Sequence, residues 1–84
     1  MSWPRHIWDQ LKNLTADELI RALERDGWIR RRSKGAIFIY EHPDGRQASI
    51  HYHPHKTFGP SFLKSLLADI GWTEDDLGRL TLIK

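Results

Sequence analysis

Three of the five histidines of this chain, His51, His53 and His55, stand at every second position, and Lys56 follows them directly. Upstream, Arg30, Arg31 and Arg32 run together, with Lys34 one serine further on. Imidazole exchanges a proton near neutral pH, so such a cluster can supply a general base or a general acid. Neutral imidazoles also bind zinc, and cationic side chains pair with phosphate. The plain reading is that the histidines are polar residues at a strand end. The arginines would then give solubility and protect a sheet edge by charge.

The residues around the histidines narrow these readings. QASIHY alternates with period two, which predicts a strand whose Ala48, Ile50 and Tyr52 face the core. Gln47, Ser49, His51 and, in a continued strand, His53 then share the outer face. Pro54 interrupts that strand, so His55 need not share the face. No carboxylate lies close in sequence to complete a ligand set, and neither a metal nor a cofactor is expected. His42 belongs to the turn HPDGR and is explained by turn geometry.

The elements that must hold these residues are well signalled. In LTADELIRALERDGW, Thr15 and Glu18 form a capping box and Leu14 and Leu19 a hydrophobic staple. Leu19, Ile20 and Leu23 make one apolar stripe, and Gly27 stops the helix. WIRRRS is a short strand, AIFIYEH a second over 36–42, and the third covers 46–52 around Pro43-Asp44-Gly45. Pro60 opens another helix with Phe62, Leu63, Leu66, Leu67 and Ile70 at helical spacing, and Gly71 ends it. Thr73 and the acidic residues after it start a short last helix.

The predicted order is α-β-β-β-α with a short extra C-terminal helix. The fold class is α+β, two helices on one face of a three-stranded antiparallel sheet with the other face open. Residues 1–13 are expected to be an arm or short helix and 14–84 a single domain. Trp28 and Trp72 each follow a helix-stopping glycine and are expected as core lids. Trp3 and Trp8 either pack back on the domain or serve a partner.

With 84 residues the chain can bury only about 60 to 65% of its unfolded surface, so chemistry belongs on a face or shallow groove. Cysteine is absent, which excludes disulfides and thiolate chemistry. No apolar run nears the roughly 18 residues of a membrane span, and the expectation is a cytoplasmic chain with no membrane contact. Residues 28–56 hold six basic and two acidic side chains, a net +4, whereas the segments before and after are each −1. A basic sheet between neutral-to-acidic helices is the footprint of a phosphate-binding surface.

A helix ending in DGW, a basic strand, KGxxxxY, HPDGR, IxxHxxK and an apolar helix follow one another over roughly residues 15 to 77. This ordered set resembles the HicA (YcfA-like) toxin family of type II toxin-antitoxin systems. The resemblance implies a fold like the double-stranded-RNA-binding domain and an mRNA interferase, a metal-independent endoribonuclease. It also implies mRNA as substrate and a HicB-like antitoxin that covers the active surface, with the free chain a monomer. In that family Ser-His typically follows the Lys-Gly pair, and the histidine is catalytic. Here those positions hold Ala36 and Ile37, and the family's Gly-Thr-Leu near the second helix is altered to Ser61-Phe62-Leu63.

Because isoleucine cannot transfer a proton, the expected catalytic residue is His53, which aligns with the histidine of IxxHxxK, assisted by His51. Lys34, Lys56, Arg30 and Arg32 are the expected RNA contacts, on the reasoning that alternate arginines of a strand face opposite sides. Two other readings stay open. One is a HicA-like scaffold that binds RNA or an antitoxin without cleaving. The other is a purely structural or interaction protein using its tryptophans.

Overall fold

Thr15 caps a helix as the capping-box residues predict: Glu18 N–H donates to Thr15 Oγ1 at 3.3 Å, and Thr15 N–H donates to Glu18 Oε1 at 3.0 Å. The structure is a computed structural model that describes residues 3–53 and 56–84. Its elements are α1 (Arg5–Leu11), α2 (Ala16–Arg25), β1 (Ile29–Lys34), β2 (Ile37–Glu41), β3 (Gln47–His51), α3 (Pro60–Ile70) and α4 (Glu74–Arg79). The sheet is antiparallel in the order β1-β2-β3. The α-β-β-β-α order holds, with α1 and α4 flanking it.

Tyr40, Ala48 and Ile50 are buried under the helices, so the period-two reading of β3 assigned its faces correctly. Leu19, Ala22 and Leu23 of α2 and Leu63, Leu66, Leu67 and Ile70 of α3 complete that layer. Two tyrosines tie the sheet to α2: Tyr52 Oη donates to Asp17 Oδ1 at 2.7 Å, and Tyr40 Oη donates to Glu24 Oε2 at 3.3 Å. The N-terminal segment is no free arm. Trp3, Ile7 and Leu11 join the same apolar cluster, while Trp8 is partly buried against it.

Asp26, at the C-terminal end of α2, gathers three elements. Trp28 Nε1 and Trp72 Nε1 both donate to Oδ2, at 3.2 and 2.7 Å, and Arg79 Nη2 of α4 donates to Oδ1 at 2.7 Å. A carboxylate opposes the helix dipole there, and burial would raise its pKa. The donors outweigh both and hold it below the ordinary aspartate value. Thr73 and Asp76 form a second capping box that starts α4.

Gly71 closes α3 in the left-handed region at φ +79°, and a Cβ there would stand 3.2 Å from Arg46 Nη1. That arginine donates to the Ile70 carbonyl oxygen and covers the Trp28 ring at 5.2 Å. Gly71→Ala is therefore expected to destabilise the protein by about 1 to 2 kcal/mol. Gly78→Ala, within α4 with open space at its Cβ, should stabilise by about 0.5 to 1 kcal/mol. Urea unfolding checks the pair; the same sign of shift for both variants would contradict this account of Gly71.

Candidate nucleic-acid interface

The hairpin register decides which side chains share the open sheet face. Lys34 pairs with Ile37, and Ile37 pairs with His51. The next row is Arg32, Ile39 and Ser49. Adjacent strands lie about 4.8 Å apart, so Lys34 and His51 flank Ile37 with roughly 10 Å between their backbones. A phosphodiester over Ile37 would lie within reach of an ammonium on one side and an imidazole on the other. Ile37 is also the position at which the family resemblance expects the catalytic histidine.

Strict alternation along β1 does not hold. The register shifts between Arg30 and Arg32, making Arg31 an extra residue in the edge strand. A bulge places two successive side chains against one partner residue. Arg31 reaches Glu41 on the open face, Nε to Oε1 at 3.2 Å, while Arg32 pairs with Ile39 on that face. Arg30 instead pairs with Tyr40 on the helix-covered side, its guanidinium 4.7 Å from the Phe38 ring centroid. Of the expected contacts on β1, Arg32 and Lys34 come together and Arg30 is separated from them. Among the described residues, neither Arg32 nor Lys34 makes an ion pair, unlike Arg31.

β3 ends at His51, although Tyr52 N–H still donates to the Ala36 carbonyl at 2.6 Å. His53 therefore lies just past the strand, exposed, rather than within a continued one. Lys56 N–H donates to the His53 carbonyl at 3.1 Å, and Thr57 bridges to Thr15. His51, His53 and Lys56 line one shallow groove with Phe58, Gly59 and Phe62 at the start of α3. His55 and Pro54 lie outside the described residues.

Phe62 was expected in the buried stripe of α3 but is 42% exposed. Its ring meets the His51 imidazole edge-on, centroids 5.7 Å apart, and stands 5.8 Å from Phe58. The sequence signal was its position: the first apolar residue after Pro60 precedes the turn that packs on β3. Among the described residues no group of three or more His, Asp or Glu side chains is placed to hold a metal. No described helix is long and apolar enough to cross a membrane.

The arrangement combines an imidazole, cations without an ion pair among the described residues and one exposed aromatic ring, Phe62, a composition suited to binding and rearranging a phosphodiester. No curated protein matches the chain. A family model described as HicA toxin of bacterial toxin-antitoxin matches residues 16–72, which carry α2, all three strands and α3. On that match, across well over half its length, the chain belongs to the HicA toxin family.

Proposed function

We propose that this HicA-family protein binds mRNA on the open sheet face and cleaves it without a metal. The observation that carries the reading is the cross-strand row Lys34, Ile37, His51. His51, one strand over from the position of the family's histidine, takes the proton of a ribose 2′-hydroxyl. The resulting oxyanion attacks the adjacent phosphorus, and the bond to the 5′-oxygen breaks. Lys34 neutralises the phosphate, and His53, which lines the same groove as His51, supplies the proton to the leaving oxygen. The products are a 2′,3′-cyclic phosphate and a 5′-hydroxyl. Purified protein incubated with mRNA and a chelator is expected to yield fragments with those ends. Intact RNA would favour the second reading, a binding module that lost its base with Ile37.

Binding rests on Lys34, Arg32 and Lys56, so affinity should fall steeply with salt as counterions are released. A Lys34→Ala/Lys56→Ala variant is expected to bind single-stranded RNA more weakly and to lower the log–log salt slope by roughly 0.7 per lysine. Titrations at several salt concentrations check this; an unchanged slope would place the phosphates elsewhere. The toxin's partner is an antitoxin-like protein that covers the same face. Ile29 and Ile37, 48% and 36% exposed, offer it apolar contact among the cations.

A further inference from the structure

A second groove runs between α1 and α3, lined by Arg5, Trp8 and Lys12 on one side and Phe58 and Lys64 on the other. It shares Thr57, Phe58 and Gly59 with the groove of His51, His53 and Lys56. The two form one trough past the start of α3. Its far half is built with α1, which lies outside residues 16–72 of the family match.

Two properties of this half point to one occupant. Arg5, Lys12 and Lys64 line it against a single acid, Asp9, and none of these cations makes an ion pair among the described residues. The Trp8 ring packs on buried Trp3, centroids 5.0 Å apart, and Lys64 Nζ lies 5.2 Å from its centroid. A cation on a flexible stem over a partly exposed ring is easily displaced. A base can take its place on Trp8 while the ammonium turns to the adjoining phosphate. Cations track a backbone and rings take base faces, which is how unpaired strands are held without sequence preference. A duplex hides those base faces within its stack.

We propose that the trough between α1 and α3 is a second binding site for single-stranded RNA, extending the strand held at His51. It rests on the proposed RNA activity and adds the substrate class: an unpaired strand several nucleotides longer than the cleaved bond requires.

The test is fluorescence anisotropy with labelled single-stranded RNAs of about 4 and about 12 nucleotides, within the range of single-strand site sizes. The full-length protein is compared with Arg5→Glu/Lys64→Glu and, separately, Trp8→Leu, which keeps an apolar side chain over Trp3. The parent is expected to bind the longer RNA on the order of 10-fold more tightly, and both variants to lose that gain while holding the short RNA as before. If the short RNA binds and length adds nothing, or if both variants keep the gain, the second site is overturned and the His51 reading stands. If neither length binds, the RNA reading itself fails and takes this site with it. If the variants keep the gain but release a co-expressed antitoxin-like partner, the trough docks a protein and the proposal is wrong.

Discussion

Alanine at His51 is expected to lower RNA cleavage about 10²- to 10⁴-fold, the usual loss when a general base is removed. His51 sits opposite Ile37 in the β2–β3 ladder, on the open face beside Lys34. Cross-strand Cβ atoms lie about 5 Å apart, so its imidazole can serve the same phosphate that a histidine at position 37 would serve. Ile37→His in the His51→Ala background should then restore much of the lost rate. Both positions are exposed, so neither change threatens the core. His53→Ala should cost a similar factor, because the 5′-oxygen leaves poorly as an unprotonated alkoxide. The assay follows one labelled RNA with parent, each single variant and the double variant. Full activity in His51→Ala with loss in His53→Ala would move the base past the end of β3. An inert parent with an active Ile37→His variant would make the protein a binding scaffold.

Asp26→Ala should be the most damaging single change away from that face, by about 3 kcal/mol. The carboxylate satisfies two indole N–H groups and the Arg79 guanidinium. Each buried donor left without a partner costs about 1 to 3 kcal/mol, and relaxation recovers part of the sum. In a domain of this size that corresponds to a fall in Tm of roughly 15 °C. Asp75→Ala, an exposed residue in the first turn of α4, should move Tm by only a few degrees.

The acid limb of the stability curve follows from the same group. Its folded pKa is depressed, so its contribution is full above the unfolded aspartate value near 4. That contribution is lost as pH falls through the lower folded value. Asp76, held down by the Thr73 N–H and Arg79, titrates in the same direction, and the Arg46 hydrogen bonds lower Asp44 to about 2. The parent should therefore lose stability from about pH 4 downward, and Asp26→Ala should show a shallower fall there. Equal Tm values for Asp26→Ala and Asp75→Ala at neutral pH would remove Asp26 from its central place.

What could be read from the residues alone divides along physical lines. Local signals carried well: Thr15 and Glu18 cap a helix because their geometry needs only four consecutive residues. Ala48, Ile50 and Tyr52 chose their face because burial selects apolar groups. Trp28 and Trp72 were placed in the core by the glycines before them, but their shared acceptor was hidden, since Asp26 and Trp72 are far apart in sequence. The bulge at Arg31 was equally hidden, because three like residues give no hint which one is extra. Phe62 looked like core and proved to flank His51. Trp3 and Trp8 stayed undecided until the packing of α1 was known, since an apolar pattern does not say which surface it covers.

The bulge has a consequence for how such a face can change. β1 is an edge strand with one neighbour, so an added residue disturbs a single ladder and no second strand has to follow. Inserting or deleting one residue there exchanges which basic side chains look outward, while β2, β3 and the buried layer beneath stay as they are. The charge pattern of the open face is thus separable from the stability of the domain. Recognition in this chain can drift by small length changes at its margin, a route closed to any residue of the central strand.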